Sequence, residues 1–281
     1  MQLVDRAFTR IWLIVALIMP PAWAAASDTL RIGLLPTLSP RTLITNYQPL
    51  RAYLERELQR PVVLLTAPDF KTFHRDTAAG GFDLAVTAAH LARLAQTEQG
   101  MQPLATYRAT NRAILVTAKS RPVKSPQDLR GRNLAIFDPM ALVVLQTLNW
   151  LGEQGLRAGR DYRVLDTPSH NSVAHSVLSG ESIMGVTAPA GMRSWTPDMR
   201  EGLQVYTELQ PAPALIWIAH PRLAGQMERI KSALLRFADS PEGQAFLAQT
   251  NYQGLREVDA DELRSLDPYA REIARQLRNT P

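Results

Sequence analysis

Two successive runs of short apolar strands alternating with helices restrict this chain more than any other feature of its sequence. Leu30-Arg31-Ile32-Gly33-Leu34-Leu35 reads as a buried strand ended by Pro36. The spacing of Leu50, Tyr53, Leu54 and Leu58 then predicts an amphipathic helix over about residues 49–59. Residues 61–65 and 83–86 read as strands, each followed by a helix, at 70–77 and 88–96. From Ala113 the pattern restarts, with strands at 114–117, 133–137, 162–165 and 184–187. Ser125-Pro126 caps and opens a short helix, and Asp138-Pro139 predicts another running to about residue 153. Further strands are expected at 203–206 and 214–219, and helices at 223–237, 241–247 and 261–277. Strand–helix–strand order calls for sheets covered by helices on both faces, and strands with little alternation suit burial on both sides. The expectation is an α/β chain of two similar units.

At 281 residues, 46% of them hydrophobic and 20% charged, the chain can bury the core that such units need. It has no cysteine, which excludes a disulfide framework, thiolate metal ligation, a cysteine nucleophile and a lipidated cysteine anchor. The formal charge is +5, and arginine carries most of the basic character. The arginines are scattered with few aromatics among them, so nucleic acid is not an expected partner. Phosphate-binding glycine loops, H-E-x-x-H and G-x-S-x-G are absent, and the histidines show no metal spacing. No enzyme activity, cofactor or metal is expected.

The amino-terminal segment has a different character. Arg6 and Arg10 precede an apolar run at 11–19, and Ala22-Trp23-Ala24 follows two prolines. A basic stretch, a short apolar stretch and a small-residue site form the pattern of a cleaved signal peptide, here residues 1–24. The mature chain is expected in the periplasm.

Several segments carry a family resemblance. Gly33-Leu34-Leu35-Pro36, Tyr47-Gln48-Pro49-Leu50-Arg51-Ala52-Tyr53-Leu54 and Asp83-Leu84-Ala85-Val86 resemble the first part of the phosphate, phosphite and phosphonate-binding proteins of ABC importers. Ser125-Pro126-Gln127-Asp128-Leu129-Arg130-Gly131-Arg132 resembles the segment that opens their second lobe. Ser169-His170-Asn171-Ser172-Val173, followed by Val177-Leu178-Ser179-Gly180, resembles a third block. The resemblance implies a type II periplasmic binding protein: two α/β lobes with mixed, mainly parallel sheets and a hinge of two crossing segments. The crossings fall near 107–112 and 208–213, giving one lobe of 28–110 plus 212–281 and a second of 111–211. The implied function is capture of a small ligand, an oxyanion or organic anion, for delivery to an ABC permease. A sensory module presenting the ligand to a membrane receptor is the alternative.

In such a fold the ligand sits between the lobes, at strand ends and helix starts that favour an anion. That places Thr37 and Tyr47 after the first strand, Thr87 after the third, Met140 after Asp138-Pro139, His170 and Asn171 at a helix start, and Thr187 at a strand end. Tyr47 and His170 match family positions that contact ligand. Where the family carries a run of serines and threonines, this chain has Met140-Ala141-Leu142, which removes every hydroxyl donor. Ile183 or Met184 stands where a carboxylate for an amine would be. Phe70, Phe73 and Trp195 could give the cleft apolar walls, but core is the favoured reading of each.

Overall fold

The computed structural model describes residues 29–279, so the expected signal peptide lies outside the described residues. The first unit begins with β1 (Leu30–Leu34), α1 (Pro40–Leu58), β2 (Val62–Leu65), α2 (Phe70–Ala78), β3 (Leu84–Ala88), α3 (Ala89–Gln99) and β4 (Gln102–Tyr107). The chain leaves it through β5 (Thr110–Asn111). The second unit holds β6 (Ile114–Ala118), β7 (Asn133–Ile136), α4 (Leu142–Glu153), β8 (Arg163–Asp166), α5 (His170–Ser179), β9 (Met184–Thr187), α6 (Pro189–Ser194) and β10 (Leu203–Glu208). It returns through β11 (Ala212–Pro213) to β12 (Leu215–Ala219) and, later, β13 (Leu255–Arg256).

Two sheets result. One has six strands in the order β13-β4-β12-β3-β1-β2; the other has five in the order β10-β6-β9-β7-β8. The β2-β1-β3 and β8-β7-β9 ladders are parallel, as helical crossovers require. The returning chain inserts β12 antiparallel between β3 and β4, which makes the larger sheet mixed. The two crossings pair only with each other, Asn111 opposite Ala212 and Thr110 opposite Pro213. An Arg112–Glu208 ion pair at 2.9 Å spans the same place.

Two helices begin elsewhere than the sequence predicts. α1 starts at Pro40, not near Pro49, because the Ser39 side chain accepts from the Thr42 amide and caps the helix earlier. Pro49 sits inside it, and the carbonyl that loses its donor belongs to exposed Thr45. α4 starts at Leu142, not at Pro139. Asp138 is occupied in a tight turn, its carboxylate accepting from Met140 N at 2.8 Å and from Phe70 N at 3.4 Å. β4, α6 and β13 carry no periodic signal long enough to predict.

Burial extends across both units. Leu35, Phe70, Ala88 and Ala89 of the first share one apolar cluster with Met140, Ala141, Leu142 and Val143 of the second. His90 of α3 is fully buried, and its Nε2 donates to the Met140 carbonyl at 2.8 Å. Met140-Ala141-Leu142 is therefore a seam between the units. Among the described residues no helix is long and apolar enough to cross a membrane.

Candidate ligand-binding cleft

A cavity of about 490 Å³ opens where strand ends of both sheets face the paired crossings. Leu35 and Thr37 enter it after β1, Phe70 at the start of α2 and Ala88 at the end of β3. Residues 108–112 and 213–215 form the crossing wall, and Asn251, Tyr252 and Gln253 close one side. The second unit contributes Phe137, residues 141–143, His170, residues 188–190 and Arg193.

Residues 141–143 are the cap and first two positions of α4, and residues 188–190 are the same positions of α6. Three consecutive residues of a helix start cannot point their side chains one way. What each trio shares toward the cavity is the helix end, with its amide donors and partial positive charge. The caps of α3, α4 and α6 are Ala88, Ala141 and Ala188, and none has a side chain to satisfy those amides.

Arg108, Arg112 and Arg193 line the cavity, and among the described residues no aspartate or glutamate does. Arg112 is paired with Glu208. Arg108 and Arg193 have no carboxylate within ion-pair distance among the described residues. Arg193, on α6, donates to the carbonyl of Thr250 across the cleft at 3.4 Å.

His170 is the most constrained polar group of the wall. Its Nδ1 is 3.0 Å from the Thr187 hydroxyl, and its ring lies 3.9 Å from that of Phe137, centroid to centroid. The Trp195 indole donates to its carbonyl. Burial lowers the imidazole pKa to about 4, so at neutral pH it is an uncharged hydrogen-bonding group. Gly191 makes room for it: a Cβ there would fall 2.4 Å from the ring.

Of the residues anticipated from sequence, Thr37 and His170 stand in the cavity wall. Thr87, Met140 and Thr187 stand beside it: Thr87 is buried in β3 next to Ala88, and Thr187 holds the His170 ring. Tyr47 lies one layer behind. α1 turns it inward, where it accepts from the Tyr107 hydroxyl at 3.3 Å and meets the edge of Phe246 at 5.2 Å. Between it and the ligand space stands Tyr252, stacked on Tyr107 at 4.2 Å. Asn171 faces outward, accepting from Ser194, beside a shallower recess near Asp166 and His175. Phe73 and Trp195 are core, but Phe70 reaches the wall. Arg108, Arg193, Tyr252 and Phe137 are additions. Arg108 falls inside the crossing expected at 107–112, which could have marked it; Arg193 lies on a helix too short to show periodicity.

Three buried groups with large shifts give the protein a pH dependence, and buried His74, lowered by burial in the same sense, adds to the two histidines among them. His90 and His170 both have pKa values lowered to about 4, principally by burial. The stability they contribute is fully present above about pH 6.5 and is lost as pH falls toward 4. Asp138 is raised to about 6, chiefly by burial and against the pull of its amide donors. Its contribution has the opposite sign: it is present below about pH 4 and is lost as pH rises through 6. Two groups outweigh one. Thermal unfolding followed by circular dichroism should show the midpoint falling from pH 6.5 to 4.5, by about 1.4 kcal/mol of net stability per pH unit. Asp138→Asn should steepen that fall, and a midpoint that stays level or rises in acid would contradict the assignment.

Two α/β lobes joined by a pair of crossing strands, with an anion-favouring cavity between them, define a bilobal periplasmic solute-binding protein. A family model described as "ABC transporter, phosphonate, periplasmic substrate-binding protein" matches residues 32–263, and the chain belongs to that family. Solved structures share the fold. A binding protein component of an ABC phosphonate transporter from Pseudomonas aeruginosa is 16% identical, with a TM-score of 0.77, over 89% of this chain and 88% of that one. PhnD1 from Prochlorococcus marinus, solved in complex with methylphosphonate, is 13% identical with a TM-score of 0.77, over 88% and 99%. XAC2383 from Xanthomonas citri, solved bound to chloride ion, is 19% identical with a TM-score of 0.75, over 89% and 99%.

Proposed function

We propose that the protein captures a small anion between its lobes and hands it to the permease of an ABC importer. The observation that carries this reading is the charge of the cavity: three arginines and no carboxylate line it. The uncapped starts of α3 and α4 add partial positive charge in the same space. Closure about the paired crossings would bring Arg108 of one lobe and Arg193 of the other onto one ligand.

Arg193 is exposed here, and removing one of two cations that closure brings onto a shared, desolvated anion would cost about 2–5 kcal/mol. Arg193→Gln is therefore expected to weaken anion binding at least tenfold, read by isothermal titration calorimetry against a panel of phosphonates, sulfonates and carboxylates. Unchanged affinity would remove Arg193 from the site. The transport reading further expects loss of uptake when the protein is absent. Normal uptake with a lost transcriptional response would favour the receptor-presenting alternative.

A further inference from the structure

The cavity wall is divided by exposure. Arg108, Arg193, Asn251 and Gln253 are exposed and stand at the mouth. The inner wall is buried and apolar, with Leu35, Phe70, Ala88 and Leu142 at 8% exposure or less. Half-buried Phe137 adds an aromatic face against His170. Burial keeps His170 uncharged at neutral pH, and half-buried Arg112, the one lining cation that is not at the mouth among the described residues, is paired with Glu208. The helix starts there supply partial charge only, and their uncapped amides are met by water or by a neutral oxygen of the ligand beside its apolar body.

We infer, on the anion-capture reading above, that the solute is an organic anion with its charged head at the mouth and an apolar body directed inward. Arg108 and Arg193 hold the head. Phe70, Phe137 and Leu142 line the path of the body, which is several carbons long. A ligand bearing an ammonium group is disfavoured, because no lining residue is a carboxylate. Compact, highly charged oxyanions are disfavoured too, because filling the inner wall with them would strip them of water against carbon atoms.

Calorimetric titration at pH 7.5 and constant ionic strength tests this with straight-chain carboxylates from acetate to octanoate. Inorganic phosphate and methylphosphonate serve as compact references. Affinity is expected to rise about fourfold per buried methylene, making hexanoate roughly 250-fold tighter than acetate. Phe137→Ala should flatten that gradient, while Arg193→Gln should weaken every member by a similar factor. Phosphate or methylphosphonate binding as tightly as the longer carboxylates, or affinity independent of chain length, overturns the inference and leaves anion capture standing. No binding by any of these probes overturns both.

Discussion

Gly243→Ala is expected to cost more than about 4 kcal/mol and to leave little folded protein. A Cβ at this position would fall 1.7 Å from the carbonyl oxygen of Phe237, 2.6 Å from its carbonyl carbon and 3.1 Å from the Cα of Ala238. All three are backbone atoms, so no rotamer change relieves the clash. Neither can the glycine retreat. Its amide donates to the Ser240 hydroxyl at 3.0 Å, and that hydroxyl donates to the Phe237 carbonyl at 2.8 Å. The helix that follows, Pro241–Thr250, carries Phe246 into the aromatic cluster of Tyr47, Tyr107 and Phe237, and its far end presents residues 251–253 to the cavity. Urea denaturation of the purified variant measures the loss. A variant within about 1 kcal/mol of the parent protein would show that the 237–243 turn relaxes freely.

Gly191→Ala has the largest expected effect on binding with the fold retained. The added carbon would stand 2.4 Å from the His170 ring and 2.6 Å from the Thr187 hydroxyl oxygen. The side chains can yield, because the ring borders open cavity, but the pair they form cannot survive. Breaking it leaves the buried Thr187 hydroxyl unsatisfied and pushes the imidazole into ligand space. A loss of roughly 1–3 kcal/mol, or about 5- to 150-fold in affinity, is expected. A second signature separates this from general loosening. The His170 pKa, low because the ring is buried, should rise from about 4 toward the ordinary histidine value as the ring becomes exposed. Proton NMR titration reads it, and an unmoved pKa together with unmoved affinity would refute the packing argument.

Much of the architecture was legible because the signals were long or repeated. The two strand–helix runs and the Ser125-Pro126 start rest on local chemistry, and local chemistry prevails in those places. α1 shows where that fails. Pro40 and Pro49 are equally good first-turn residues in isolation, and only the Ser39 cap with its Thr42 partner decides between them. The Asp138 turn failed for a non-local reason. Its carboxylate is drawn toward Phe70, which lies far away in sequence, and a cap that serves two lobes does not resemble one that serves a helix. The cleft was half legible for the same reason. Strand ends pointed to Thr37 and His170, and both line the cavity. Tyr47 follows from the same rule, yet α1 begins nine residues earlier than its periodicity suggests and rotates that side chain into the core. Arg193 depends on α6, a single short turn whose placement comes entirely from the chain around it.

The paired crossings carry a mechanical consequence. β5 and β11 are joined through just two residue pairs, and residues 108–112 and 213–215 are at once the pivot and part of the binding wall. In most hinged jaws the gripping surfaces sit at the ends of the levers and the axle is blank. On the capture reading proposed above, the axle itself would carry Arg108 and Arg112, which move least as the jaws swing, while Arg193 would travel with one jaw toward them. The angle at which the joint comes to rest would then set the gap between that travelling cation and the fixed pair, and with it the length of cargo that can be held.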